Sequence, residues 1–327
     1  MGRVLAVSAV VLGGLIMVGM LATAKPPPRP VVQKPVKPPK LSREERLRAE
    51  PLPEVLAPLV SVAQPKLPSG PGDWLTEHPE EGQSLAQHKV DCKPVFKAAG
   101  GDDAGRGSVR VIYLVPAGEF SDEAKKVVDR LEPLLAAHFQ LPVKRLPPLS
   151  DAVAGKSVRP HPDHGVQWLT RDILEGLEKV KPDDAAAVMA ITMVDLYPDP
   201  TWNFVFGEAS YDARVGVMSL ARTGDLMTEQ TLVLERSYTT AMHEIGHMFQ
   251  LLHCVAWECP MNGSNHQEEA DSRPLEPCAH CLAKLMVATG LDPKKRWTEL
   301  RAAFEAAGLT RGVKEIDREL ATYSQAN

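Results

Sequence analysis

Aromatic side chains make up only 5% of this 327-residue chain, and no basic run lies within its globular part. A nucleic-acid surface needs clustered cations or stacking aromatics, so the expectation is no nucleic-acid partner. A net charge of −5 and 44% hydrophobic residues fit an ordinary soluble globular domain instead. The first hundred residues are poor in core-forming pattern, which argues against two domains. Cysteine is scarce as well: five residues, four of them between positions 254 and 281. The fifth, Cys92, has no evident partner and reads as a buried or free thiol.

The N-terminus divides in two. Val4 to Ala22 is almost wholly apolar, and Ala22-Thr23-Ala24 offers a small-residue cleavage site. Residues 1–24 are therefore expected to be a signal peptide, giving export (periplasmic or secreted) after cleavage near Ala24. The alternative is an uncleaved anchor formed by residues 4–22. That stretch is long enough to span a bilayer, and the basic flank from Lys25 to Arg43 suits a cytoplasmic side. A membrane tether then follows as a possible partner. Residues 25–90 hold KPPPRPVVQKPVKPPK, PLPEVLAP and QPKLPSGPG, which predict an extended, disordered linker. Only Leu41 to Glu50 looks transiently helical. The globular domain is expected over residues 91–327.

The chemistry sits in His243-Glu244-Ile245-Gly246-His247. Residues four apart on a helix share one face, so His243 and His247 can grip one metal ion together. Glu244, beside the first ligand, can take a proton from water on that metal. Leu234, Tyr238, Ala241 and Ile245 recur at helical steps, which places the motif on a helix. Two surface histidines on an amphipathic helix are the plain alternative. His253 supplies a third imidazole, but six residues past His247 it would lie about 240° off the ligand face of a continuing helix. The helix must therefore break and turn back between them.

Cys254, Cys259, Cys278 and Cys281 follow as C-x4-C and C-x2-C. Paired cysteines with short gaps build a closed four-thiolate zinc site. Two disulfides are the alternative in an exported chain. Zinc is preferred, because a C-x2-C pair presents both thiolates to one point. His280, between the paired cysteines, is a conceivable substitute ligand. His161 and His164 read as loop residues, and Glu268, Glu269 and Asp271 as a solvated acidic loop or as part of the substrate cleft.

The runs HEIGHMFQLLHCVAWECPMN and LEPCAHCLAKL resemble the archaemetzincins, whose pattern is close to HExxHxxGxxHC-x4-C-x-M-x17-C-x2-C. The resemblance implies a catalytic zinc on His243, His247 and His253, with Glu244 as general base. It also implies a second, structural zinc on Cys254, Cys259, Cys278 and Cys281, and Met261 as the Met-turn residue beneath the catalytic site. Gln250 departs from the family's glycine. The implied activity is zinc-dependent peptide hydrolysis, with a peptide or protein as substrate. The rival reading is a zinc-binding protein that holds peptides without cleaving them.

The remaining pattern predicts an α/β, metzincin-like fold: a mixed sheet with helices, a zinc-binding helix, and a helical C-terminal part. Strands are expected at 109–115, 141–145, 185–194, 202–206 and 215–220. Helices are expected from Ser121 to about Phe139, over Gln167 to Val180, and from about Thr231 through the motif. Three more follow, Cys278 to Thr289, Lys294 to Ala307 and Arg311 to Thr322, with Gly290 and Gly308 as stops.

Overall fold

Ser42 starts the first helix, α1 (Arg43–Arg48), through a reciprocal cap. Its hydroxyl accepts from the Glu45 N–H at 3.1 Å, and the Glu45 carboxylate accepts from the Ser42 N–H at 2.6 Å. A computed structural model of the chain describes residues 41–95 and 110–326. The expected signal or anchor (1–24) and the most proline-rich stretch (25–40) lie outside the described residues. Among the described residues, no helix is long and apolar enough to cross a membrane.

From Leu41 onward the expected linker is folded, a correction to the 25–90 boundary. After α1 come a 3-10 turn (Ala57–Ser61), α2 (Trp74–Glu77) and α3 (Leu85–Asp91). Leu47, Leu56, Leu59 and Leu85 from this segment join the main core. Its prolines sit between contacts rather than preventing them. Pro65 forms a bridge with Trp257, and flanking bonds run from Lys66 N to Ala256 O (3.1 Å) and from Glu258 N to Gln64 O (2.8 Å). An extended proline-rich strip thus gains backbone partners it could not supply itself.

The body alternates strands and helices: β1 (Val111–Ala117), α4 (Asp122–Phe139), β2 (Val143–Arg145), α5 (Asp151–Ala154), β3 (Val158–His161), β4 (Gly165–Leu169), α6 (Thr170–Val180), β5 (Ala185–Thr192), β6 (Asp195–Tyr197), β7 (Gly207–Ser210) and β8 (Val215–Ser219). The main sheet runs β2-β1-β5-β8-β7, parallel except for β7, which lies antiparallel at one edge. A smaller sheet runs β3-β4-β6. β5, sequence AAAVMAIT, is buried along its whole length, as a strand covered on both faces must be. Alternation sorts β1 between two cores. Ile112 and Leu114 face the larger core with α4, while Val111, Tyr113, Val115 and Ala117 face Ile173 and Leu177 of α6. Ser121 caps α4 by accepting from Ala124 N at 3.1 Å.

Two expected elements differ. Gln167 to Leu169 belong to β4 rather than to a helix reaching Val180, because they pair with β6 (Trp168 opposite Leu196) before α6 starts at Thr170. Trp202 to Phe206 is not a strand. Only Val205 bridges to Leu196, and the Asn203 carbonyl is taken by the side chains of Arg159 (2.8 Å) and Gln167 (2.8 Å). Side-chain donors there replace a sheet neighbour.

The motif helix α7 (Gln230–Met248) packs on α4 and across β7 and β8. Beyond it lie α8 (Gln267–Asp271) and the helical C-terminus, α9 (Ala279–Thr289), α10 (Pro293–Ala306) and α11 (Thr310–Ala326). Gly290 (φ 71°) and Gly308 (φ 68°) take the left-handed conformation that ends α9 and α10.

Candidate metal centres and active-site cleft

The end of α7 is a Schellman turn. The Leu251 N–H donates to Gly246 O at 3.1 Å and the Gln250 N–H to His247 O at 2.7 Å, with Gln250 left-handed at φ 65°. This is the break that the spacing of His253 demanded, made without glycine. It brings His243, His247 and His253 together, with one ligand atom from each lying within 4.8 Å of the others.

Each ring is aimed by an oxygen on its Nδ1 side. The Nδ1–H of His243 donates to Pro260 O (2.7 Å), that of His247 to Leu251 O (2.7 Å), and that of His253 to the Glu80 carboxylate (2.8 and 3.0 Å). The Nε2 atoms are left to converge, with those of His243 and His247 2.9 Å apart. Burial pushes the His243 imidazole well down and that of His247 down to about 3, with neighbouring imidazoles adding to both. Neutral rings with converging Nε2 atoms are the donor set that zinc takes. The residues present therefore fit the metal.

Glu244 is buried beside this cluster, and burial, with Glu208 adding to it, pushes its carboxyl up to about 8. Met261 is fully buried beneath α7, where a Cβ on Gly246 would lie 2.7 Å from its sulfur. That close approach places Met261 under the motif. Sequence reasoning missed Asn262, buried next to Met261. Its amide accepts from Cys259 N (3.0 Å) and donates to Trp257 O (2.9 Å), fixing the loop between the two clusters.

The four cysteines form a second cluster, buried and unbridged, with all sulfurs within 4.8 Å of one another. Cys254 and Cys278 sulfurs are 3.8 Å apart. A tetrahedron with metal–sulfur bonds of about 2.3 Å has edges of about 3.8 Å, so the four thiols fit one zinc ion. His280 stands aside: its Nδ1 accepts from Trp257 Nε1 (3.1 Å) and its Nε2 faces Glu50 O (3.3 Å). Cys92 is buried away from both clusters, with burial pushing its thiol up.

A cleft of about 680 Å³ opens over the histidines. Its wall carries Trp74, Trp202, Phe204, Phe206 and Tyr211, none singled out in the sequence, although Trp202 to Phe206 were expected as a strand. Burial and the nearby Glu244 push the Tyr211 phenol up to about 12, and its hydroxyl lies 3.1 Å from His247 Nδ1. Glu269, expected in a solvated acidic loop or the cleft, is instead buried. It pairs with Arg273 (2.8 Å) and accepts from the N–H groups of Trp74 and Asn265. Asp271 pairs with Arg236 at 2.5 Å. His161 and His164 sit with ring centroids 5.1 Å apart, with no metal cluster around them among the described residues.

Comparison with known proteins follows the same lines. Residues 118–287 match peptidase family M54. The chain is 35% identical to Archaemetzincin-2 of Homo sapiens over 281 residues, 76% of each chain. It is 37% identical to the archaemetzincin of Pyrococcus horikoshii over 124 residues, covering 36% of this chain and 65% of that one. Among solved structures, an archaemetzincin from Methanopyrus kandleri aligns at a TM-score of 0.46 and 31% identity, over 56% of this chain and 97% of the other.

Proposed function

Because this chain belongs to peptidase family M54, the archaemetzincins, and is a zinc metallopeptidase, we propose that His243, His247 and His253 hold its catalytic zinc and that Glu244 is the general base. The observation that carries this reading is the convergence of three imidazoles, each with its Nδ1–H already committed, beside one buried carboxyl. Bound there, zinc supplies a Lewis acid that acidifies water and polarises a carbonyl. Cys254, Cys259, Cys278 and Cys281 hold a second zinc with a structural role, closed by four thiolates and offering no open position.

The chain's own residues set up the rest. β7 is the edge strand of the main sheet and lines the cleft with Gly207, Glu208 and Ala209. An extended peptide can pair with its free side and so cross the histidine cluster. The Glu244 carboxylate takes a proton from the attacking water and passes it to the leaving amine. Burial alone would keep that carboxyl protonated near neutral pH, and the positive charge of a bound zinc would restore the carboxylate that acts as base. The aromatic wall excludes water from one side of the cleft and receives apolar side chains.

Glu244→Gln tests the assignment. The variant should keep zinc at both clusters while peptide cleavage falls by about 10²–10⁴-fold. Undiminished cleavage removes Glu244 from the mechanism. Absence of cleavage in the wild type, with both zinc ions bound, would favour a pocket that binds peptides without cutting them.

A further inference from the structure

The segment before the family match, Leu41 to Val95, does more than cover the body. Three of its side chains meet the last turn of α7 and the residues beyond it. His88 Nε2–H donates to Phe249 O at 3.1 Å. Gln83 straddles the bend: its amide nitrogen donates to Gln250 O at 3.1 Å, and its amide oxygen accepts from Leu252 N at 3.3 Å. Glu80 accepts from His253 Nδ1–H at 2.8 and 3.0 Å, and from Trp74 Nε1–H at 2.9 Å. All three contacts span more than 150 residues of sequence.

We infer that this segment is a built-in brace of the histidine site, in which Glu80 is a positioning residue for His253 and Gln83 and His88 hold the bend that lacks glycine.

The inference rests on the zinc assignment made above. A carboxylate on the Nδ1 side of a ligating histidine fixes its tautomer, points Nε2 at the metal, and makes the ring a stronger donor. His243 and His247 receive backbone carbonyls for this purpose, both from the loop that follows α7. His253 is the one of the three whose Nδ1–H meets a charged side chain. The Glu80 carboxylate is in turn oriented by the Trp74 indole. That ring meets His253 edge-on at 5.1 Å between centroids. The brace is itself anchored: the Glu50 carboxylate accepts from Leu85 N (2.6 Å) and Ala86 N (2.8 Å) at the start of α3. Lys284 of α9 donates to Gln83 O at 2.6 Å. The left-handed Gln250 therefore has its carbonyl and the next amide but one fixed by one side chain, which opposes relaxation of the strained turn.

The test uses the full chain loaded with cobalt(II) or zinc, comparing wild type with Glu80→Ala, Glu80→Gln and Gln83→Ala. Cobalt at four thiolates carries sulfur-to-metal charge-transfer absorption that a three-histidine site lacks, so the two sites are read separately. Glu80→Ala should weaken zinc at the histidines by about 10–100-fold in competition with a chelator. It should also alter the visible cobalt bands of that site while leaving the thiolate bands unchanged. Glu80→Gln keeps an acceptor for Nδ1–H and should lose less, and Gln83→Ala should weaken the same site alone. The unchanged thiolate site reports that each variant is folded, and Glu80→Gln decides the matter if the alanine variant does not fold. Zinc affinity and cobalt bands equal to wild type overturn the brace, even with a lowered melting temperature. A wild type that takes no metal at the histidines overturns the zinc-ligand assignment made above and the brace with it.

Discussion

Glu244 lies directly against Gly207: a Cβ built on the glycine would come within 2.8 Å of both the Cγ and the Oε1 of the glutamate. The same Cβ would stand 2.8 Å from the Val217 carbonyl of the neighbouring strand. Gly207 is thus what lets the edge strand pass over the buried carboxyl. Because a backbone carbonyl cannot swing aside, Gly207→Ala must shift β7 or push Glu244 out of place. A misplacement of about 1 Å in a reacting group can cost about 10²-fold in rate. Peptide cleavage by Gly207→Ala should fall by at least about tenfold, with zinc content unchanged. Cleavage at the wild-type rate would show that Glu244 and β7 can part freely.

Gln250 carries the strain that a glycine would remove. A left-handed backbone costs a non-glycine residue about 1–2 kcal/mol. Glycine gives back about 0.4–1 kcal/mol through greater freedom of the unfolded chain. Gln250→Gly should therefore be more stable by about 0.5–1 kcal/mol in denaturant unfolding, with cleavage little changed, because the bend is already closed in the native chain. A variant less stable than wild type would mean that the glutamine side chain has contacts worth more than the strain.

How much of this was legible depended on sequence distance. His243 and His247 are one helical turn apart, so local periodicity alone put them on one face. His253 required a break, and the break is there. The C-x2-C pair announced the thiolate cluster, and Gly290 and Gly308 fall where α9 and α10 end. Glu80, Gln83, His88 and Trp74 were illegible for a physical reason: each acts through a partner far along the chain, and their segment carries too many prolines to show a helical or strand period. The aromatic run Trp202 to Phe206 misled in the opposite way. Strand-favouring residues serve there as a cleft wall, and side chains from Arg159 and Gln167 satisfy the backbone. β4 was absorbed into α6 because a stretch as short as Gln167 to Leu169 fits either period.

Metal removal should act on stability chiefly through the cysteines. The cluster ties the loop at Cys254 and Cys259 to the start of α9 at Cys278 and Cys281, all buried in the main core. Four thiols brought together without an ion lose the bond energy that holds that loop, and any that ionise repel one another. Stripping zinc under reducing conditions should cost about 4 kcal/mol for an ion held at about 1,000 times its Kd, a fall of roughly 10 °C in melting temperature for a domain of this size. Differential scanning calorimetry with and without a strong chelator measures it. An unchanged melting temperature would instead show that zinc at the four thiols does not hold that loop.

A pH dependence of stability should arise where α11 meets the loop before α9. Glu315 accepts from Leu275 N (2.8 Å) and Glu276 N (3.0 Å) in a largely buried position, with Arg311 at 3.3 Å. Burial, reinforced by the nearby Glu276 carboxylate, pushes its carboxyl up to about 7. Arg311 and the two amides do not offset it. In the unfolded chain the same group titrates at about 4.3. Between those two values the folded protein holds a proton that the unfolded chain has released. Stability therefore falls as pH rises through that window and levels off above about 7. Glu315→Gln keeps an acceptor oxygen for both amides and carries no charge at any pH. The difference in unfolding free energy, variant minus wild type, should thus grow by on the order of 1–3 kcal/mol from pH 4.5 to 7.5. Carboxylates that do not feel Glu315 drop out of that difference, while Glu319, whose carboxyl the Glu315 charge helps to push up, adds to it with the same sign. A difference that stays constant across the window would mean that Arg311 and the two amides hold Glu315 ionised throughout.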